Sequence, residues 1–372
     1  MISPVPLRVG ITERHGMFDE VARNPPRGVA YDFPSADTAT TRLIRSSVKG
    51  YLRTFQHSSC DILEAVFSPI VTDAPWILST DSFHSVLTFT LLGLPLPRSL
   101  RISYIDHLLK QSNFRRLVLW SDAAYRELEG VLGKSHCELL EKATVVHPAI
   151  RTVADQEKRP AQDGCIRLLF SGDFFRKGGA NVIDAFEMLQ RQYPHVRLRV
   201  CSDERFDFNT PDTELRNTYL TKIRSNEHIT FGRVPRQEMV ERVLPESDIY
   251  LLPTYAEAFG FALLEAMAFG LPVISTTEFA IPEIVEHDST GYLIDTSGFC
   301  IRDFVQGYVV ETIPDEFREK VSYDLYESLA QLIEQPDQRL QMGRRGQEVA
   351  RTKFGFENRN RRMFEIYREC LA

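Results

Sequence analysis

The stretch Glu257-Ala-Phe-Gly-Phe-Ala-Leu-Leu-Glu265 decides the fold, because it leads from a buried strand into a helix through a glycine turn. The short apolar run at residues 248–254 predicts a fully buried strand. The helix predicted after Gly260 ends at Gly270, with Pro272 two residues further on. A glycine turn at a helix N-terminus presents backbone N–H groups and the positive end of the helix dipole. The sequence therefore predicts a phosphate site at this turn.

Two carboxylates flank the predicted phosphate site. Glu257 comes just before it, and Glu265 lies in an otherwise apolar helix, next to Leu264 and Ala266. A carboxylate in apolar surroundings is costly unless a donor satisfies it, and a ribose diol offers two donors at suitable spacing. We therefore predict that Glu265 binds a ribose. The alternative is a glutamate at the edge of the helix that reaches water.

Together with its flanking motifs, this stretch resembles the E-x7-E element of retaining family-four glycosyltransferases, which have the GT-B fold. The resemblance covers most of residues 143–295 and returns weakly at the C-terminus. The other matching motifs follow the order of the family: Val145-Val-His-Pro-Ala149, Phe170-Ser-Gly-Asp-Phe-Phe-Arg-Lys-Gly178, Phe231-Gly-Arg-Val-Pro235, Pro272-Val-Ile-Ser275, Ile281-Pro-Glu-Ile-Val285 and Thr290-Gly-Tyr-Leu293.

The predicted fold class is α/β, with two Rossmann-like domains facing a cleft, as in GT-B proteins. A chain of 372 residues is long enough for two cores. Strands and helices alternate in the second half, which indicates a parallel sheet with crossover helices. We predict an N-terminal acceptor domain at 1–152 and a donor domain at 165–350. The resemblance implies that a terminal helix, 351–372, returns to the N-terminal domain. Residues 298–323 form an insertion of unassigned role.

Composition narrows the classes of function. The net charge of −7 provides no general basic field for nucleic acid, and no apolar stretch approaches the ~20 residues of a membrane span. The six cysteines are scattered, which is typical of reduced thiols rather than of disulfides or a zinc site. The N-terminal residues lead directly into a predicted strand, so we expect no signal peptide and a cytoplasmic location.

The resemblance implies a donor site for a nucleoside diphosphate sugar. In the family a lysine followed by glycine contacts the diphosphate, and Lys177 matches it. The family arginine of this loop is replaced by Asp173, so Arg176 is the candidate substitute. Glu257 would hold sugar hydroxyls and act at the catalytic centre with Lys177. The remaining donor-binding candidates are the base-binding turn at Arg233 and Val234 and the phosphate-binding backbone at Phe259, Gly260 and Phe261.

We expect neither a catalytic metal nor any other cofactor. No two aspartates are spaced as Asp-x-Asp, and histidine, cysteine and aspartate do not cluster in the sequence. The leaving diphosphate would then be stabilised by Lys177, Arg176 and the helix N-terminus at Gly260. This pattern suits retention, in which the leaving phosphate helps to deprotonate the acceptor.

The N-terminal half departs most from the family. His84 follows a predicted strand and is the candidate catalytic histidine of this half, the alternative being a structural histidine. Residues 41–55 carry Arg42, Arg45, Lys49 and Arg53 at helical spacing. Such a basic stripe could bind an anionic membrane surface and place the protein on the inner membrane face, or it could be the solvated side of a core-packed helix.

The function predicted from the sequence is a retaining hexosyltransferase that uses a nucleotide sugar. Its acceptor would be a hydroxyl group of a glycan, a lipid or a small molecule, and no nucleic acid partner is expected. Two alternatives stay open. One is another enzyme on this fold, such as a nucleotide-sugar epimerase. The other is a non-catalytic subunit that binds sugar nucleotides, because the family's glycine-rich loop after the first strand is missing. Fold alone does not decide between them.

Overall fold

Two units, each with its own parallel sheet, divide the chain. Unit 1 comprises Met1–Arg151 and Phe354–Ala372, and unit 2 comprises Thr152–Lys353. The computed structural model describes residues 5–14, 16–36, 44–46, 50–51, 53–55, 59–87, 89–91, 94–95, 97–132, 137–153, 163–208, 210, 212–297 and 314–372. The C-terminal segment therefore belongs to unit 1, although it follows unit 2 along the chain.

Unit 1 has a six-stranded parallel sheet and shorter pairings beside it. Its strands are β1 Leu7–Ile11, β2 Val29–Asp32, β3 Ile44–Ser46, β4 Gly50–Tyr51, β5 Arg53–Thr54, β6 Ile62–Val66, β7 Ile70–Val71, β8 Trp76–Thr80, β9 Phe89–Leu91, β10 Leu94–Pro95, β11 Phe114–Leu119 and β12 Ala143–Val145. The main sheet has the order β12-β11-β8-β6-β1-β2. Every residue of β6 and of β8 is buried, as expected for central strands covered on both faces.

Helices cover the sheet of unit 1. They are α1 Gly16–Arg23, α2 Phe83–Val86, α3 Arg98–Leu109, α4 Asp122–Leu132 and α5 Cys137–Lys142. The C-terminal helix, α14 Phe356–Leu371, completes the same core, because its Met363 and Ile366 pack with Val9 and Ile62 of the sheet. The hydroxyl of Tyr367 donates to the buried carboxylate of Glu64, which fixes α14 to β6 through a polar contact as well.

Unit 2 has a second six-stranded parallel sheet. Its strands are β13 Ile166–Ser171, β14 Val196–Cys201, β15 Ile229–Phe231, β16 Ile249–Leu252, β17 Val273–Thr276 and β18 Gly291–Ile294, in the order β15-β14-β13-β16-β17-β18. The central strand β16 is buried at all four positions, as its apolar sequence predicts.

The helices of unit 2 connect these strands and follow the last of them. They are α6 Gly179–Gln190, α7 Thr213–Ser225, α8 Arg236–Glu238, α9 Leu244–Glu246, α10 Phe261–Ala268, α11 Ile281–Ile284, α12 Asp315–Glu334 and α13 Pro336–Thr352. A π-helical turn, Met239–Val243, separates α8 from α9. Pro245 lies just after this turn and cannot donate a backbone hydrogen bond to the preceding turn, which accounts for the widened helix.

Both sheets have a switch point, where the order of the strands reverses. In unit 1 the reversal lies between β1 and β6, and in unit 2 it lies between β13 and β16. Open parallel sheets bind ligands beyond the carboxyl ends of the strands at such a point. The loops after these four strands are therefore the positions where each unit is expected to hold a ligand.

The helix predicted at residues 41–55 is wrong. The described residues of this segment lie in three short strands, Ile44–Ser46, Gly50–Tyr51 and Arg53–Thr54. Glycine within the segment and its β-branched residues favour extended backbone over a helix. Arg42 and Lys49 lie outside the described residues, and for Arg45 only the backbone is described. The basic stripe on one helical face therefore does not form among the residues that the structure describes.

The structure differs from the sequence prediction in other details. The sequence did not predict the strands β2 and β18, which have four residues each. Of the proposed insertion, residues 298–313 lie outside the described residues, whereas Asp315 already begins the long helix α12. Within the described parts of the chain, no helix has both the length and the apolar character that crossing a bilayer requires.

Candidate functional site

The switch point of unit 2 brings Lys177 and Glu257 into direct contact. Lys177 lies in the loop after β13, and its Nζ donates to Glu257 Oε2 at 2.7 Å and to the carbonyl of Ala256 at 2.9 Å. Both side chains are 15% exposed, so the pair is only partly desolvated. The two residues that the sequence assigned to the diphosphate and to the sugar thus lie together, although 80 positions separate them.

Gly178 allows the two loops that carry Lys177 and Glu257 to approach each other closely. Gly178 has a φ of +79°, and a Cβ there would lie 2.1 Å from the carbonyl oxygen of Pro253. Only glycine lets the loop after β13 touch the backbone of the loop after β16 so closely. The two loops are also joined by a hydrogen bond from the amide of Tyr255 to the carbonyl of Arg176 at 3.1 Å. This contact fixes the position from which Lys177 reaches Glu257.

A buried polar network supports the loop that carries Glu257. The hydroxyl of Tyr255 donates to Asn181 Oδ1 at 2.9 Å. Asn181 lies in α6, and its amide nitrogen donates to Ser322 Oγ at 2.9 Å and to the carbonyl of Arg318 at 3.0 Å, both in α12. Burial raises the pKa of Tyr255, so the phenol stays a neutral donor. Because every member of the network has a partner, it restricts the loop to one conformation.

The second half of the site is the glycine turn at the start of α10. Gly260 has a φ of +112° and is the N-cap of this helix, without a capping side chain. Phe259 is buried before it, and Phe261 opens the helix with its ring 5.1 Å from that of Phe259. No acidic residue lies in the first turn of α10, so its positive end is not neutralised from within the helix. Such a terminus can bind an anion.

Glu265 has a partner that the sequence did not reveal. The guanidinium of Arg236 donates through Nη1 and Nη2 to the two carboxylate oxygens of Glu265. Arg236 is 56% exposed and Glu265 is 20% exposed. Arg236 opens α8 just after the motif that was predicted to bind the base, so this motif and α10 lie next to each other. The carboxylate assigned to the ribose is thus held by an arginine.

The remaining donor-site candidates lie on loops of unit 2. Arg176 is mostly exposed and pairs with Asp173, with its Nε 3.4 Å from Asp173 Oδ2. Arg233 is exposed and Val234 is half-buried, both between β15 and α8. The structure thus brings together Lys177 and Glu257 by direct contact, whereas Arg176 bonds the replacement aspartate of its own loop.

His84 lies in unit 1, in the short helix α2 after β8. Its Nδ1 lies 2.8 Å from Glu127 Oε1, and Glu127 Oε2 accepts hydrogen bonds from Ser82 Oγ at 2.7 Å and from the His84 amide at 3.1 Å. Burial acts to raise the pKa of Glu127, but the hydrogen bonds from His84 and Ser82 outweigh it and lower this pKa. An ionised carboxylate therefore orients the imidazole, which is itself 37% exposed.

Sequence reasoning missed Arg236, Glu127, Tyr255 and Asn181. Tyr255 and Asn181 could have been suspected, since both adjoin the motifs with Glu257 and Lys177. The pairings of Arg236 with Glu265 and of Glu127 with His84 join residues 29 and 43 positions apart, for which the sequence holds no local signal.

A known protein family matches one part of the chain. Residues 153–306 match the family described as Glycosyl transferases group 1. This segment contains Lys177, Glu257, Glu265 and Arg236, the charged residues paired at the site of unit 2. Among curated relatives, the N-acetyl-alpha-D-glucosaminyl L-malate synthase of Bacillus anthracis is 47% identical over 66 residues, which are 17% of this chain and 17% of that protein.

The first curated relatives are matched over less than half of their own length, with coverages of 17%, 16%, 35% and 48%. Solved structures are similar over nearly the whole chain. Sucrose-phosphate synthase from Thermosynechococcus elongatus has a TM-score of 0.62 at 13% identity and covers 98% of both chains. Anabaena Alr3699/HepE in complex with UDP-glucose has a TM-score of 0.62 at 12% identity and covers 98% of this chain and 100% of its own. At these identities the similarity establishes the GT-B fold.

Proposed function

Residues 153–306 of this chain belong to the group 1 glycosyl transferase family, and from that premise we propose that the protein is a retaining hexosyltransferase. Its donor would be a nucleoside diphosphate sugar and its acceptor a hydroxyl group. The observation that carries this proposal is the contact of Lys177 Nζ with Glu257 Oε2 at 2.7 Å, at the switch point of the unit 2 sheet.

A cation and a carboxylate at this position suit a sugar diphosphate. Lys177 and the N-terminus of α10 provide positive charge for the two phosphates, which become more negative as the bond to the sugar breaks. Glu257 provides acceptor oxygens for the sugar hydroxyls. When the donor binds, the lysine exchanges part of its contact with Glu257 for the diphosphate, and the carboxylate becomes accessible to the sugar.

Further support comes from the similar protein that was solved with UDP-glucose, because its fold covers nearly all of this chain. Glu265 would take the ribose diol, and the loop with Arg233 and Val234 would lie against the base. The reaction would need no metal ion, since Lys177, Arg176 and the helix N-terminus supply the charge that stabilises the leaving group. Departure of the diphosphate from the face that the acceptor then attacks gives retention.

A panel of nucleotide sugars tests the proposal. We expect one sugar nucleotide to raise the melting temperature and to be hydrolysed slowly without an acceptor. With an acceptor, NMR of the product should show the anomeric configuration of the donor. A product of inverted configuration would contradict retention. A donor that is converted to another sugar nucleotide without any acceptor would instead indicate an epimerase.

A further inference from the structure

The sheet of unit 1 has a switch point of its own, which the donor site does not use. It lies between β1 and β6, so the residues that follow these two strands are positioned to meet a ligand. Phe67 follows β6, and Glu13 comes two residues after β1. Neither residue belongs to a motif of the donor site.

Phe67 has a backbone conformation that is rare for a side chain of its size. Its φ is +61°, and the amide of Ser68 donates to the carbonyl of Val66 at 2.8 Å, which closes a three-residue turn around it. Turns of this kind are strained for residues other than glycine. Strained residues cluster where a protein must aim a side chain at a ligand. The partly exposed ring lies 5.1 Å from that of Trp120, edge to face, which fixes its orientation.

An ion pair lies at the same edge of the sheet. Arg53 Nη2 donates to Glu13 Oε2 at 3.1 Å, and each side chain is 22% exposed. Arg53 lies in β5 directly opposite Ile70, which is three residues beyond Phe67. The pair and the aromatic ring therefore flank the same switch point. Arg53, one of the four charges of the basic stripe predicted at residues 41–55, lies against Glu13 and over the ring of Phe55.

We propose that Phe67, Glu13 and Arg53 form the acceptor subsite and that the acceptor is a carbohydrate. This proposal rests on the proposed function of the protein. A sugar ring presents hydroxyl groups that need both donors and acceptors, and Arg53 and Glu13 supply both in a fixed arrangement. The apolar face of a sugar ring packs against an aromatic ring such as that of Phe67. Because Glu13 neutralises Arg53, the subsite favours a neutral polyhydroxylated ligand over a phosphate group.

The substitution Phe67→Gly tests whether the aromatic ring binds the acceptor, because it removes the ring and should leave the fold intact. Glycine adopts positive φ without strain, so the variant loses the ring while its backbone relaxes. We expect its melting temperature to stay near that of the wild type. Acceptor KM should rise about two- to tenfold, because one aromatic contact is lost. Phe67→Tyr should restore the wild-type KM. Asp288→Gly is the matched control, since Asp288 also has a positive φ of 62° but lies in unit 2.

The probes are methyl glycosides of glucose, galactose, mannose and N-acetylglucosamine, and the same sugars as disaccharides. Their binding is followed by tryptophan emission, because Trp120 contacts Phe67. Transfer is followed with the donor found in the nucleotide-sugar panel. We expect at least one probe to bind and to accept sugar, and Arg53→Lys to raise its KM while donor hydrolysis without acceptor stays unchanged.

The outcomes distinguish the two proposals. If the wild type hydrolyses a nucleotide sugar but binds none of these carbohydrates, the acceptor subsite is wrong and the donor function stands. Binding to phosphatidylglycerol vesicles in place of carbohydrates would overturn it in favour of a lipid acceptor. An unchanged acceptor KM in Phe67→Gly would overturn it as well. If the wild type neither binds nor hydrolyses any nucleotide sugar, the proposed function itself fails.

Discussion

Arg236 and Glu265 form a two-point ion pair, in which both terminal nitrogens of the guanidinium donate to the two oxygens of the carboxylate. This geometry is the preferred one between an arginine and a carboxylate. It occupies the same two oxygens that a ribose diol would use. The half-exposed arginine can leave, whereas Glu265 is held in α10 by its apolar neighbours. If Glu265 binds the ribose, as proposed, a nucleotide must compete with Arg236 for this carboxylate.

The substitution Arg236→Ala should strengthen the binding of a nucleoside diphosphate. Exposed ion pairs stabilise proteins by about 0.2–1 kcal/mol, so removing the competitor should tighten binding up to about fivefold. Isothermal titration with the free nucleotide measures this. The control is Arg242→Ala, which removes an arginine of the same helical run that pairs with Glu238 instead. Weaker binding of Arg236→Ala would mean that the arginine contacts the nucleotide.

The substitution Glu265→Gln should weaken nucleotide binding even without the sugar. A neutral amide is a poorer acceptor than a carboxylate, and a hydrogen bond to a charged group is worth about 1.5–3 kcal/mol. Affinity for the free nucleoside diphosphate should fall about tenfold or more. If affinity for the nucleotide is unchanged, the ribose does not bind to this carboxylate.

The substitution Lys177→Ala should reduce turnover about 10²–10³-fold, because it removes a preorganised charge at the leaving group. The variant should also be less stable than the wild type, because Glu257 loses its partner at 2.7 Å and both side chains are only 15% exposed in the structure. We expect the melting temperature to fall by several degrees. Arg176→Ala is the control for stability, because Arg176 is 48% exposed and should change the melting temperature little. Transfer within a few-fold of the wild type would show that another cation holds the diphosphate.

Activity should survive thorough chelation. The sequence contains no Asp-x-Asp pair for a divalent ion, and the proposed site supplies its positive charge from Lys177 and the N-terminus of α10. Transfer rates measured with and without excess EDTA should agree within error. Complete loss of activity in EDTA, with recovery on adding Mg²⁺ or Mn²⁺, would contradict the metal-free mechanism.

The sequence predicted the fold where local signals agreed. The apolar run before Thr254 predicted the buried strand β16, and Gly260 and Gly270 bounded the helix α10. The contact of Lys177 with Glu257 follows from the same signals, because the loops after two adjacent strands at the switch point of a parallel sheet lie at one edge. The glycine at position 178 allows this contact, because its turn lies against the backbone of Pro253. The contact between Lys177 and Glu257 was thus predictable from short motifs, and its role in binding a donor stays a prediction.

Other features depended on contacts that no local pattern encodes. The charges at Arg45 and Arg53 fit a helical face, but strand pairing of this segment with its neighbours decided the conformation. Glu265 was predicted to need a donor, yet the sequence could not show that Arg236 supplies it. His84 was predicted as the candidate catalytic histidine, with a structural histidine as the alternative, and neither role is tested. The sequence could not show that Glu127, on the separate helix α4, pairs with its ring.

The pairing of Glu127 with His84 predicts a dependence of stability on pH. The folded pKa of Glu127 lies below its ordinary value of 4.5, so the carboxylate stabilises unit 1 fully above that pH. This stabilisation is lost as the pH falls through the folded pKa. Glu127→Gln should lower the free energy of unfolding by about 1.5–3 kcal/mol near neutral pH, and its difference from the wild type should shrink below pH 4.5.

Urea unfolding followed by tryptophan emission measures this difference, because both tryptophans of the chain, Trp76 and Trp120, lie in unit 1. Glu129→Gln is the matched control, since Glu129 lies on the same helix α4 but is exposed. It should follow the wild type at every pH. A difference between Glu127→Gln and the wild type that stays constant from neutral pH to pH 3 would mean that the pKa of Glu127 is not depressed. In that case His84 would not be oriented by an ionised carboxylate.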